Sequence, residues 1–217
     1  MCRALFIVFE GIDGSGTTTQ SDLLARYIQK NLGVHVVQTR EPGGTPLAEK
    51  IRCLVLDPNA REMHFSTELF LYAASRSQHV EELIKPALQE GKPVICDRFT
   101  DSTLAYQGYG RGLNIANITQ VNSMAAGGCI PDLTFYLDVP VEVARERRRQ
   151  RESRPDRLEA AGDDLQKRVC RGYKKIACQK PGESLILDAT RSAGKLAAEV
   201  LDELRARWPG FPFGNKK

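Results

Sequence analysis

The chain has 217 residues, 41% of them hydrophobic, with 31 Lys and Arg against 27 Asp and Glu for a net charge of +4. That length holds one α/β domain with a full core, and no second domain is needed. No apolar run approaches the roughly 20 residues that span a bilayer, and no signal-like segment precedes the first apolar run, so a soluble, cytoplasmic protein with no membrane partner is expected.

Residues 4–9 (ALFIVF) are rich in β-branched and aromatic types and read as a buried strand, while Leu23, Leu24, Tyr27, Ile28 and Leu32 recur at helical spacing. Between them lies Glu10-Gly11-Ile12-Asp13-Gly14-Ser15-Gly16-Thr17-Thr18-Thr19-Gln20. Strand, glycine turn and helix together make a phosphate-binding loop. The glycines let successive N–H groups turn towards an anion, and the helix adds its positive N-terminal end. Gly11, Gly16 and Thr18 meet the P-loop spacing, but Thr17 stands where the lysine belongs. Phosphate contacts are therefore expected from Gly11, Ile12, Asp13, Gly14, Ser15, Gly16, Thr17, Thr18 and Thr19, with Thr18 a hydroxyl ligand for Mg²⁺ and Thr17 supplying no cation.

Gly33 closes the first helix, and residues 34–39 (VHVVQT) read as a second strand. Pro42, Gly43 and Gly44 force a loop; Thr45 is expected to cap the next helix and Pro46 to start it. Residues 66–89 carry the longest helical pattern, interrupted by Pro86. Val94-Ile95-Cys96 is a short apolar strand of the kind found inside a parallel sheet, so Asp97 and Arg98 stand at the same sheet edge as the P-loop, Asp97 suiting a Mg²⁺ ligand. A polar, glycine-rich stretch from Asp101 to Gly112 precedes a helix near Ile115–Ala126. A strand over 133–138 then leads into a helix with arginines at 145, 147, 148, 149, 151, 154 and 157, and a last strand at 184–188 lies between two helices. This alternation calls for a doubly wound parallel sheet of about five strands with helices on both faces. The six cysteines show no Cys-x-x-Cys pair and no nearby His cluster, and read as reduced thiols, with Cys96 as core filler.

The ordered motifs FEGIDGSG (9–16), TREPGGT (39–45), YAASR (72–76), DRF (97–99), STLAYQG (102–108) and PDLTFYLD (131–138) resemble those of the thymidylate kinases of bacterial type, P-loop nucleoside monophosphate kinases that phosphorylate dTMP with ATP for dTTP synthesis. The resemblance runs from about Phe6 to about Leu204. It implies ATP and Mg²⁺ as cofactors, dTMP as substrate, no nucleic-acid partner, a homodimer, and a single kinase domain over 1–217 with a lid at about 149–161. Asp13 would accept from the nucleotide 3′-hydroxyl. Arg40, Arg52 and Arg98 would surround the 5′-phosphate, with Glu41 and Pro42 shaping that end. Tyr72 would stack on the base, Arg76, Thr103 and Gln107 would read its edge, and Tyr106 would crowd the 2′ position. Taken alone, Tyr72 reads equally as core and Arg76 as an ion-pair partner.

The arginine cluster, which composition alone leaves open as a solvated face, a nucleic-acid patch or a phosphate clamp, becomes a lid in this light. Arg149, Arg151, Arg154 and Arg157 fall on it, whereas Arg145, Arg147 and Arg148 read as helix surface. Asp13, Arg98, Arg149, Arg151 and Arg154 are the catalytic candidates, a lid arginine taking over the charge of the missing lysine. The loss of that lysine keeps two alternatives in play: a slow or inactive nucleotide-binding homologue, or a kinase for another nucleoside monophosphate.

Overall fold

The computed structural model describes residues 4–150 and 156–210. The first strand, Phe6–Gly11 (β1), is buried along its whole length. It is the centre of a sheet whose other strands are Val37–Arg40 (β2), Val94–Asp97 (β3), Leu133–Asp138 (β4) and Ser184–Asp188 (β5), in the order β2-β3-β1-β4-β5 and parallel throughout. The three inner strands are apolar on both faces because helices cover both faces. On one side Ile7, Phe9, Ile95 and Phe135 join the larger core, where Phe9 and Phe135 stack at 5.2 Å; on the other, Phe6, Val8, Val94 and Cys96 pack with Val80, Ile84 and Phe99.

The register sets the site. Phe9 and Arg40 both lie opposite Asp97, so the carboxyl ends of β1, β2 and β3 reach one edge together. The helix after the P-loop runs Thr17–Leu32 (α1) and ends on Gly33 in the left-handed conformation. Pro46–Leu56 (α2) follows with proline in its first turn. Thr45 holds the N-cap position but does not cap: its hydroxyl is buried without a hydrogen-bond partner among the described residues.

The long helical pattern is one rod in three pieces, Phe65–His79 (α3), a π-helical segment Val80–Ile84, and Lys85–Gln89 (α4). Pro86 has no N–H to donate, and the wider π turns before it absorb the broken ladder so that the rod continues.

The polar, glycine-rich stretch is helical, which its composition does not suggest. Thr100–Thr103 (α5) passes into π-helical turns over Leu104–Gly110. Gly108 and Gly110 serve close packing and not a turn: a Cβ on Gly110 would stand 2.9 Å from Leu165 Cδ1 and 3.1 Å from Val169 Cγ2. Both partners lie on Asp163–Cys178 (α8). Ile115–Ala126 (α6), Val141–Arg149 (α7) and Ala193–Arg207 (α9) complete the covering layers. The arginine-rich helix α7 ends at Arg149, so Arg151 and Arg154 lie outside the described residues.

Candidate active site

Gly14 and Gly16 take φ of 91° and 101°, a region closed to most side chains, and the loop they shape opens onto the N-terminus of α1. Gly14 is also close-packed, since a Cβ there would stand 2.3 Å from the Ala144 carbonyl oxygen on α7. Thr17 opens the helix and is buried, whereas Thr18 and Thr19 are exposed. Thr18 Oγ1 donates to Asp97 Oδ2 at 2.5 Å, and the other oxygen, Asp97 Oδ1, is buried with no hydrogen-bond partner. A hydroxyl beside an unsatisfied carboxylate oxygen fits a hard divalent cation that takes its remaining ligands from water and phosphate. Among the described residues no group of three His, Cys, Asp or Glu side chains is placed to hold a metal unaided.

A cavity of about 210 Å³ extends from this loop along the sheet edge. It brings together Asp13, Thr17, Thr18, Arg40, Arg52, Tyr72, Arg76, Asp97, Arg98, Thr103, Tyr106 and Gln107, which are up to 94 positions apart but meet in one wall. Arg98 follows β3 directly and has φ 72°, a left-handed conformation costly for a side chain of this size. Its Nη1 donates to the Gly11 carbonyl and to Tyr173 Oη at 3.1 Å, and its Nη2 to Asp13 Oδ1 at 2.8 Å. The Nε–H makes no hydrogen bond among the described residues. Tyr106 Oη donates to Asp13 Oδ2 at 2.9 Å, which fixes both carboxylate oxygens of Asp13.

Arg40 Nη1 and Arg52 Nη1 converge on the Pro42 carbonyl at 3.0 and 2.8 Å, while Arg40 Nη2 pairs with Glu49 at 3.1 Å. Burial first, and the neighbouring Arg40 charge second, push the Arg52 pKa down from its usual value. Two guanidinium groups held this close with a single surface carboxylate between them suit an anion. The Glu41–Pro42 bond is cis. Glu41 touches the cavity, but its carboxylate turns inward to Arg76 Nε at 2.7 Å and His79 Nδ1 at 3.0 Å.

Arg76 is 2% exposed and spends most of its donors inside the protein: Nε on Glu41, Nη1 on Asn122 Oδ1 at 2.7 Å, and Nη2 on the Phe99 carbonyl at 3.0 Å and Thr103 Oγ1 at 2.9 Å. One Nη1–H remains for a ligand. Tyr72, next to it along α3, is half-buried on the cavity wall with its apolar body against the core.

The arginine-rich segment departs from the sequence reading at three places. Arg147 and Arg148 are not surface residues of α7. Arg148 Nη1 donates to the Asp13 carbonyl at 2.5 Å, and Arg147 reaches the Ser15 carbonyl at 3.4 Å and the Ala189 carbonyl at 2.9 Å. The helix packs its Ala144 against Gly14, which brings the next turn within reach of the loop. Arg157 is no free lid cation: it pairs with Glu68 Oε2 at 2.6 Å and donates to the Val55 carbonyl at 3.0 Å. Arg149 is exposed at the end of α7, and Arg145 pairs with Asp163 as a surface residue.

A second cavity, about 440 Å³, lies on the other flank of the loop, lined by Arg147, Gln20 and the turn from Ala189 to Ala193. It shares Gly14, Gly16 and Thr19 with the first. Asp156 and Glu159 on the acceptor wall were not foreseen from sequence, because their neighbourhood is set by docking of the segment after residue 155 and no local pattern marks it.

The sequence pattern of thymidylate kinases matches residues 9–200. The chain belongs to the thymidylate kinase family. It is 45% identical over 215 residues to a thymidylate kinase of Pelotomaculum thermopropionicum, covering 99% of both chains, and 48% identical over 202 residues to one of Desulforudis audaxviator, covering 93% of this chain and 90% of that one. The crystal structure of the Ehrlichia chaffeensis thymidylate kinase superposes with a TM-score of 0.76 at 39% identity, over 93% of this chain and 98% of that one. Thymidylate kinases use nucleotides, and two cavities flank the loop.

Proposed function

We propose that the chain transfers the γ-phosphoryl group of ATP to the 5′-phosphate of dTMP, giving dTDP and ADP. The observation that carries this reading is the P-loop between two cavities, one walled by Arg40, Arg52 and Arg98 and the other by the turn after β5. The acceptor phosphate sits among the three guanidinium groups, which lower its repulsion from the donor and hold its oxygen in line with the γ-phosphorus. Asp13, its oxygens set by Arg98 and Tyr106, accepts from the 3′-hydroxyl, while Tyr106 leaves little room for a 2′-hydroxyl. Tyr72 lies along the base, with Arg76 and Gln107 at its edge.

The donor phosphates lie on the N–H groups of Gly14 and of residues 16–19 at the α1 N-terminus, the Ser15 N–H being held by the Ile12 carbonyl at 2.9 Å, with the donor nucleoside in the second cavity. Mg²⁺ held by Thr18 Oγ1 and Asp97 Oδ1 would neutralise charge on those phosphates. A lid at about 149–161 excludes water and brings Arg149, Arg151 or Arg154 to the transferring group. No helix among the described residues is long and apolar enough to cross a membrane. Leu47, Leu54 and Phe70 on α2 and α3 are exposed and apolar, and suit the face of a homodimer. A coupled assay of ADP release with dTMP, dUMP, UMP and CMP tests the reading: dTMP should be strongly preferred, and release no faster than background with all four would overturn it.

A further inference from the structure

Glu68 contributes no atom to the cavity wall, yet it stands directly behind it. It is fully buried on α3 and gathers four donors from three residues: Gln107 Nε2 at 2.7 Å and Arg111 Nε at 3.5 Å on its Oε1, and Arg157 Nη1 at 2.6 Å and Arg111 Nη2 at 3.3 Å on its Oε2. The two guanidinium groups compensate the buried charge, so the bond to Gln107 is not needed to balance it. What that bond does is remove a choice. A carboxylate can only accept, so the amide NH₂ of Gln107 must face Glu68 and its carbonyl oxygen must face the other way.

Gln107 lines the acceptor cavity, and the oxygen is the end left for it. On the same wall Arg76 has a single Nη1–H to give. An acceptor beside a donor matches a ring that offers an N–H next to a carbonyl, as thymine does at N3 and O4. It opposes a ring that offers a bare nitrogen next to an amino group, as cytosine does. A glutamine free to rotate its amide would meet either edge equally well.

We propose that Glu68 is a positioning residue that sets base specificity by locking the amide of Gln107 with its oxygen towards the substrate; this rests on the dTMP reading above. Because Glu68 also receives Arg157, which lies within residues 149–161, the same carboxylate ties the base wall to that stretch of chain. A purely structural Glu68 would matter equally for every substrate. A locking Glu68 matters for the ratio between two of them.

The test compares dTMP with 5-methyl-dCMP, which keeps the methyl group and differs only along the base-pairing edge. In the parent, kcat/KM should favour dTMP strongly. Glu68→Gln keeps the size of the side chain but can offer either an oxygen or an NH₂ to Gln107, so the dTMP to 5-methyl-dCMP ratio should fall by about ten- to hundredfold, the worth of one hydrogen bond to a charged group. Equal losses on both substrates would overturn the inference while leaving the dTMP reading intact. Absence of dTMP turnover in the parent would overturn both. Should Glu68→Gln fail to fold, a crystal structure of the parent with dTMP decides: Gln107 Oε1 within hydrogen-bond distance of thymine N3 upholds the lock, and an oxygen with no contact to the base removes it.

Discussion

Arg98 Nη2 donates to Asp13 Oδ1 at 2.8 Å, joining the residue after β3 to the phosphate-binding loop across 85 positions of chain. The pairing pre-sets two site residues at once, because Asp13 is also held by Tyr106 and Arg98 by the Gly11 carbonyl. Binding then needs little reorganisation of either.

Replacing Arg98 separates its chemistry from its backbone cost. Arg98→Ala should lower turnover by two orders of magnitude or more, since a charged, forked contact to the acceptor phosphate is lost and its removal costs about 2–5 kcal/mol. Arg98→Gly should be equally inactive yet more stable than Arg98→Ala by about 1 kcal/mol, because φ 72° suits glycine. Steady-state kinetics and denaturant unfolding check both. An alanine variant with parental rate and dTMP affinity would take Arg98 out of the site.

Glu10, at the end of β1, gives the fold a pH dependence. Burial first, and the nearby Asp101 charge second, raise its pKa to about 7 from 4.5. The native state therefore holds a proton that the unfolded chain releases between those values. Stability contributed by this group is full below about pH 4.5 and is lost as the pH rises through 7, by about 3 kcal/mol in all. Glu10→Gln keeps an acceptor for the Phe99 and Ser102 N–H groups and should flatten unfolding free energy between pH 5 and 7. A variant that retains the parental slope would move the titration elsewhere.

How much of this was legible in the sequence follows from how local each signal is. β4 was readable to the residue, and β1, β3 and the P-loop in kind, because a fully apolar strand and a glycine turn are local patterns. Arg40, Asp97 and Arg98 were readable because strand ends in a parallel sheet share an edge, whereas Arg52, in the middle of α2, came from the family resemblance alone. The helical character of residues 100–110 was hidden, since Gly110 answers to Leu165 and Val169 on α8, far away in sequence, and Gly108 to Ile115 and Ile118 on α6. The inward turn of Arg147 and Arg148 was hidden for the same reason: it depends on how closely α7 packs on Gly14, and charge alone suggests solvent. Glu68 carries no local signal, because its partners Arg157 and Gln107 are brought to it from distant parts of the chain.

Tyr106 is placed to judge the sugar. Its hydroxyl is fixed on Asp13 and its ring lies under the Arg98 guanidinium at 5.6 Å, so it cannot swing aside for a bulkier ribose without breaking both contacts. Tyr106→Ala should therefore narrow the preference for dTMP over ribothymidine monophosphate. Tyr106→Phe, which keeps the ring, should preserve the preference and lose rate through a less ordered Asp13. An unchanged ratio in the alanine variant would show that the ring does not exclude the 2′-hydroxyl.

Thr17 poses the sharpest question, because a P-loop without its lysine lacks a cation at the β- and γ-phosphates, and one such charge is worth about 10³ or more in rate. The structure offers cations at two distances. Arg148, with its guanidinium on the Asp13 carbonyl, and Arg147, on that of Ser15, stand behind the loop. Positive charge on those carbonyls polarises the peptide units whose other ends, the N–H groups of Gly14 and Gly16, would face the donor phosphates in the proposed reading. Arg149 stands exposed at the end of α7, and Arg151 and Arg154 follow it in sequence. The rear pair strengthens ground-state binding of the donor, since the dipoles it reinforces act on phosphates already bound. A lid arginine acts on charge that develops during transfer. Arg148→Ala should accordingly raise the KM for ATP with a smaller change in kcat. Alanine at one of Arg149, Arg151 or Arg154 should lower kcat at least tenfold with the ATP KM within about threefold. Thr17→Lys should then restore part of the rate in that lid variant and change the parent little. If all three lid variants keep parental turnover, or if Thr17→Lys speeds the parent by orders of magnitude, the arginines do not stand in for the lysine and the site is an impaired one.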